Sequence, residues 1–391
     1  MKKEVLIVSS CPLRGGAIGV IGELLKELSC LDKSRYSLSL FDTNYNRQEY
    51  HKREDYPVDF YYKLQINSYD KIIQHVPRVR SRHYKNKYIK AFKRLLSNKQ
   101  YNSVVFFPVI YFADRLIEIA HQYNIRVIFY PWGSEILRCE GWNKKHLMKA
   151  FFNVDYVVGS FNSNTIKASR EIFNVQETKV KEKRTFVSGI AILDSIKDKY
   201  SRKEMSDILN ISESSYNVVC SYNGYVTHNH KAIIEAIAQN KGILPADYQL
   251  VFPLTYGSAP GYIDSIKSKC REEGLKAIFI TKFLSGEQMA CLHFLTDLFI
   301  EIQPTDAGNA FLIEALYAKN EIITGRWLHY EQFEKYGLPY HLIDTVEELP
   351  QKISDVVSKK LPKPIVPEQL IKMYSNPTSE DRRIFWDKIF T

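Results

Sequence analysis

The sequence predicts an α/β protein built on two doubly wound parallel sheets. Short apolar, β-branched runs alternate with helical patterns through both halves of the chain, and each run ends in a turn rich in Gly, Ser, Pro, Thr or Asp. The chain is also too long for one ordinary domain: it has 391 residues, 45% of them hydrophobic. A boundary near the middle follows. The expected division is 1–195, 196–375 and a terminal helix over 376–391, with the linker around 195–215, where the sequence turns charged and polar.

In the first half the expected strands are EVLIVSS, YSLSLFD, SVVFFPV, RVIFYPW and YVVGS. In the second they are NVVCSYNG, QLVFPLT, AIFIT, LFIEIQ and EIITG. Ligands of such sheets bind at the carboxyl ends of the strands, so the turns that follow are the candidate sites. Near the end of the chain, Ile384, Phe385, Trp386, Ile389 and Phe390 give a helix an apolar end that must bury.

Composition narrows the class. No apolar run is long enough to span a bilayer, and MKKEVLIVSS meets Cys11, Pro12 and Arg14 before a secretory core develops. Six cysteines scattered singly suit reduced thiols in a cytoplasm rather than a zinc site or a disulfide framework. The net charge of +10 is concentrated: residues 71–99 hold ten Lys or Arg and no acid. Two readings are open there, a solvated helical face and a surface for anionic lipid, where each cation adds about 1 kcal/mol. Ile89, Phe92, Leu95 and Leu96 recur at helical spacing, either packing inward or resting on a membrane. No nucleic-acid-binding motif accompanies the patch, so nucleic acid is not the expected partner.

Five strand ends carry candidate chemistry. After strand one, SSCPLRGGAIGVIGELL brings Gly15 and Gly16 into a turn without dinucleotide or P-loop spacing; it is a tight structural turn or an opening for a ligand. The stretch IRVIFYPWGSEIL places Trp132, Gly133, Ser134 and Glu135 at a strand end. They read as a core tryptophan beside a helix cap, or as a sugar-facing aromatic wall with Glu135 as acid or base.

In the second half, NVVCSYNGYVTHNHKAII runs a strand into Asn223, Gly224, Thr227, His228, Asn229, His230 and Lys231 at a helix N-terminus. Such a terminus favours anions such as phosphate, and Lys231 and His230 would add donors; the alternative is a polar cap with surface histidines. The next strand leads into Thr255, Tyr256, Gly257 and Ser258. Finally TDAGNAFLIEALYAKNEIIT holds Asp306 in a turn, small residues Ala307, Gly308 and Asn309, and Glu314 further along a helix. Asp306 reads as an N-cap or as a ligand-facing acid. Glu314 lies among apolar neighbours, where an unpaired carboxylate is costly and ribose hydroxyls would satisfy it. No Asp pair or His cluster has metal-binding spacing, so the expected chemistry uses no metal or other cofactor.

DAGNAFLIE resembles the acid, seven residues, Glu pattern of retaining glycosyltransferase family four, with Asp306 where that family has Glu. WGSEIL resembles the same family's first-domain strand-end motif. PLTYGS and GRWLHYEQFEKYGLPYHLID are similar to bacterial fucosamine-type transferases of surface polysaccharide assembly. The resemblance implies a GT-B architecture: two Rossmann-like domains facing a central cleft, acceptor side first and nucleotide-sugar side second, with the terminal helix crossing back. It implies that Glu314 holds the donor ribose, that Asp306 and the backbone after it contact the transferred sugar, and that Lys231 or His230 faces the diphosphate.

The expected function is sugar transfer from a nucleotide sugar to a lipid-linked or growing glycan acceptor in capsule or O-antigen assembly, at the inner face of the cell membrane. The family-four pattern implies retention and the fucosamine-type likeness implies inversion. A catalytically silent glycan-binding or partner-stabilising subunit and a sugar-nucleotide epimerase are the alternatives.

Overall fold

The first strand, β1 (Lys3–Ser9), is apolar on both faces: Val5 and Ile7 enter one core, Leu6 and Val8 the other, and none is more than 2% exposed. A strand reads this way only where helices cover both sides of a parallel sheet. The structure, a computed structural model, describes residues 2–9, 20–43, 57–73, 75–161, 163–184, 187–239, 241–306, 308, 310–375 and 378–391. Two units divide the chain, one formed by residues 1–185 with 377–391 and the other by 186–376.

In the first unit β1 is joined by β2 (Tyr36–Asp42), β3 (Phe60–Lys63), β4 (Ser103–Phe106), β5 (Arg126–Phe129), β6 (Tyr156–Ser160) and β7 (Val180–Lys183). Their order is β3-β2-β1-β4-β5-β6-β7, every pairing parallel. The second unit holds β8 (Tyr216–Cys220), β9 (Tyr248–Pro253), β10 (Ala277–Ile280), β11 (Leu298–Glu301), β12 (Glu321–Gly325) and β13 (His341–Ile343). Here the order is β10-β9-β8-β11-β12-β13, again all parallel. Both sheets are therefore Rossmann-like and doubly wound, as the alternating pattern predicts.

Winding reverses between β1 and β4 in one sheet and between β8 and β11 in the other. At such a switch point the loops leave towards opposite faces and open a crevice at the carboxyl ends of the strands. Ile300 of β11 pairs with Cys220 of β8, so the residues just after them, 221–224 and 301–306, flank that crevice in the second unit.

The helix Ser379–Phe390 starts at a capping box formed by Thr378 and Asp381 and completes the first unit's core. Trp386, Ile389 and Phe390 are buried beside Val5 and Ile7, and cationic groups of Lys3 and Arg126 donate to the carbonyls of Phe390 (3.2 Å) and Ile389 (2.9 Å). Cations suit the negative end of a helix. Ile384 departs from the expected burial and is exposed. A buried ion pair, Lys183 to Glu27 at 2.5 Å, ties β7 to the helix Val20–Leu28 beneath the Trp386 ring.

The basic run folds as the helix Ser68–Ile73 and the 22-residue helix Pro77–Asn98. Tyr84, Tyr88, Phe92 and Leu96 line up at four-residue spacing and are buried, and Ile89 and Leu95 pack against the same core. Its apolar stripe thus faces inward, which removes the reading in which those side chains rest on a membrane. Arg80, Arg82, Lys90, Lys93 and Arg94 point to solvent, whereas Lys87 and His83 are drawn to the buried Asp70 and Lys99 to Glu4.

Candidate functional site

Three segments of the second unit meet beside its switch point. β8 is followed by Ser221, a buried residue held at φ +62°, where a side chain other than glycine is uncommon. Its hydroxyl bonds His228 Nδ1, and Asn229, also in the left-handed region, donates through Nδ2 to the Ile302 carbonyl at 2.8 Å. The loop after β8 is thereby fixed to the end of β11.

The loop after β9 is stitched to it. Gly224 N–H donates to the Tyr256 carbonyl at 2.8 Å, and Tyr225 N–H to Asn223 Oδ1 at 2.9 Å. Gly257 has φ +84°, and a Cβ there would fall 2.6 Å from the Tyr225 ring. Only glycine fits both demands. Thr255 is half-buried and Tyr256 more open, its ring edge-on to Tyr225.

The third segment is 301–308. Asp306 Oδ2 accepts from the Gly308 N–H (3.0 Å) and from the Tyr330 hydroxyl (2.8 Å). Asp306 thus closes a two-residue turn ahead of the helix Ala310–Tyr317. Gly308 sits at φ +88° against the buried Gln332 amide, 2.5 Å from where a Cβ would stand. Beneath Asp306 lie Glu301 and Gln303, bonded to each other at 2.8 Å and both buried. Burial, then the carboxylates of Asp306 and Glu301, push the Tyr330 phenol far above its ordinary range, so it acts only as a neutral hydrogen-bonding group. Gly15, Gly16, Ala307 and Asn309 lie outside the described residues.

Glu314 stands on the helix Ala310–Tyr317, its side chain 12% exposed. It has a protein partner: His293 Nε2 lies 3.0 Å from its Oε2. The cost of an unpaired carboxylate, from which the sequence argument for a ligand started, is therefore met within the fold. On the other side its Oε1 presses on Gly189, where a Cβ would be 1.7 Å away.

The two histidines after β8 are buried, not surface groups. His230 opens the helix His230–Gln239, is fully enclosed, and shares its Nδ1 with the Tyr262 hydroxyl at 3.1 Å. Burial lowers its pKa to about 4, so at neutral pH it brings no positive charge to the helix end. Lys231, next to it, is exposed and is the cation of that turn.

In the first unit, Trp132 is 50% exposed at the end of β5 with its ring edge-on to Phe107. Gly133 lies at φ +148° and Ser134 opens the short helix Ser134–Leu137. Glu135 folds back on this turn, accepting from the N–H groups of Trp132 (2.5 Å) and Gly133 (2.8 Å). Burial pushes its carboxyl up against the pull of those donors. The acid braces the turn, as the cap reading expects, but Trp132 is half exposed and is not the core tryptophan of that reading.

Of the residues singled out in the sequence, Asn223, Gly224, Tyr256, Gly257, Asp306 and Gly308 share one rim of the second sheet. Sequence reasoning missed His293, Gly189, Tyr330 and Gln332. His293 sits in GEQMACLHFL, a helix otherwise apolar on the side it buries, and a histidine there was the available signal. Among the described residues, no group of three or more His, Cys, Asp or Glu side chains is placed to hold a metal ion.

Neither a protein-family model nor a curated protein matches the sequence. Solved structures do. The apo lipopolysaccharide outer core galactosyltransferase WaaB superposes with a TM-score of 0.64 at 12% identity, covering 99% of each chain. Anabaena HepE in complex with UDP and glucose gives 0.62 at 12%, covering 98% of each. The UDP-GlcNAc 2-epimerase of Methanocaldococcus jannaschii gives 0.59 at 14%, covering 100% of each. The likeness shows the fold: a pair of Rossmann-like units of the kind that GT-B glycosyltransferases are built from.

Proposed function

We propose that the protein is a glycosyltransferase that moves a sugar from a nucleotide-sugar donor to a lipid-linked or growing glycan acceptor in bacterial surface polysaccharide assembly. The observation that carries this reading is the rim at the β8/β11 switch point. There Asp306, an accessible Gly308 backbone and two interlocked glycine loops lie together, and Glu314 stands on the helix that follows. In HepE, a protein of similar fold, the bound molecules are UDP and glucose.

In this reading Glu314 accepts hydrogen bonds from the donor ribose, and Asp306 and Gly308 meet the sugar. The bond from the anomeric carbon to the diphosphate breaks as the acceptor oxygen bonds that carbon, and the acceptor proton passes to a base. Negative charge gathers on the leaving diphosphate. Lys231 and the N–H groups opening the helix His230–Gln239 offset it without a metal ion. Glu135 and Trp132 belong to the acceptor side, with the raised carboxyl of Glu135 suited to proton transfer.

No helix among the described residues is long and apolar enough to cross a membrane. Peripheral attachment at the inner face of the cell membrane is the proposed location, through the exposed cations of the Pro77–Asn98 helix. Tyr69, Ile72, Val76 and Val79 are exposed at its start, and Trp142 is exposed beside Lys85, whose ammonium lies 5.4 Å from the indole ring. Apolar and aromatic groups among cations suit an anionic lipid surface.

Turnover of UDP-, GDP- and TDP-sugars by wild type, Glu314→Ala and Asp306→Ala tests the assignment. Losses of about a hundredfold are expected in both variants; full activity in both removes it. The epimerase likeness favours a second reading, which product formation without any acceptor would establish.

A further inference from the structure

We infer that His293 is the positioning residue for Glu314, and that Gly189 is kept bare to admit the carboxylate so positioned. This rests on the glycosyltransferase reading, in which Glu314 takes the ribose.

His293 is held rigidly. It lies in the helix Gly286–Leu295, which starts at a capping box of Ser285 and Gln288. Its carbonyl accepts from Asn320 Nδ2 at 2.9 Å, and its ring packs on Phe311, with centroids 4.2 Å apart. The imidazole is fully buried and its Nδ1 has no partner. A carboxylate only accepts, so the proton of the shared bond sits on Nε2.

Two contacts thus fix the Glu314 carboxylate from opposite sides. Nε2–H occupies one lone-pair direction of Oε2, and the Gly189 Cα leaves room for Oε1 where any larger residue would collide. A carboxylate offers about four acceptor positions, so those left over can meet a vicinal diol. Without the histidine, a glutamate side chain would have to be ordered at each binding event, and affinity would fall. Nothing in the geometry calls for His293 to touch the ligand.

The test uses UDP, GDP and TDP as probes, with affinity measured calorimetrically on wild type, Glu314→Ala, His293→Leu, His293→Gln and the double variant His293→Leu/Glu314→Ala. Melting temperatures are recorded alongside. Glutamine places an amide N–H near the position of Nε2, so His293→Gln should retain most of the affinity. His293→Leu should lose about tenfold, as Glu314→Ala does, and the double variant should be no weaker than Glu314→Ala alone. In turnover the loss should appear in KM more than in kcat.

Affinity within twofold of wild type in His293→Leu, while Glu314→Ala binds weakly, overturns the positioning role. So do equal losses in the leucine and glutamine variants with matching drops in melting temperature, which mark simple packing. A wild type that binds none of the three diphosphates, or a Glu314→Ala that binds as wild type does, instead defeats the reading of the site, and the inference falls with it.

Discussion

Gly224 and Ser258 leave no space between them: a Cβ on Gly224 would stand 1.9 Å from the Ser258 hydroxyl oxygen and 3.0 Å from the Tyr256 carbonyl oxygen. That contact closes the rim formed by the loops after β8 and β9. Gly224→Ala should therefore destabilise the protein by about 1–3 kcal/mol through overpacking. Ser258→Ala alone should be nearly neutral, because the hydroxyl is buried without a partner, and it should recover part of the loss in the double variant. Denaturant midpoints of the four proteins check this.

Tyr330 donates to Asp306 at 2.8 Å from a fully buried position. Tyr330→Phe keeps the packing and removes the donor. A stability loss of about 1–2 kcal/mol is expected, with turnover lowered about tenfold as the Asp306 turn loosens. Thermal unfolding and donor turnover measure the two effects separately.

His230 titrates from an ordinary value of 6.5 in the unfolded chain to about 4 in the fold, because burial disfavours its charged form. Between those values the unfolded state holds the extra proton. The associated stability is thus complete above pH 6.5 and is lost as the pH falls towards 4. His230→Asn should flatten that part of the pH profile of the melting temperature. An unchanged profile would show that the ring is not desolvated.

Asp70 shows the opposite balance. Burial pushes its carboxyl up, but hydrogen bonds from His83, Lys87 and the Asn67 N–H outweigh it and hold the pKa at about 2. Its contribution is present above the ordinary 3.8 and disappears between 3.8 and about 2. Asp70→Ala should cost about 2 kcal/mol at neutral pH and much less at pH 2, read by denaturation at both values.

Charge reversal at Arg80, Arg82 and Lys85 should abolish binding to vesicles containing anionic lipid, and about 0.5 M salt, roughly three times physiological ionic strength, should do the same to wild type. Sedimentation with neutral and anionic vesicles measures it. Binding that ignores both salt and charge would exclude an electrostatic surface.

Inner strands were legible in the sequence and most outer ones were not. β1, β2, β4, β5, β6, β8, β9, β11 and β12 are apolar runs because helices cover both their faces. By contrast β3, β7 and β13 lie at sheet edges. β7 reads VKEK, with the charge that an open edge needs to refuse further pairing, and β13 is only three residues long. Of the site, the glycine turns and Asp306 stood out because strand-to-helix turns are local. The support of Glu314 did not: His293 lies 21 residues away and Gly189 in another helix, and only packing of the helices Ser188–Ile196, Gly286–Leu295 and Ala310–Tyr317 brings them together.

The place of the helix Ser379–Phe390 has a consequence for how the protein is made. Val5 and Ile7 are synthesised before the second unit, and Trp386, Ile389 and Phe390, which complete their cover, after it. While the second unit is being made, the part of that core which Trp386, Ile389 and Phe390 fill beside Ile21, Leu24, Leu25 and Leu28 stays open, and the first unit reaches its final packing only after Trp386 has emerged.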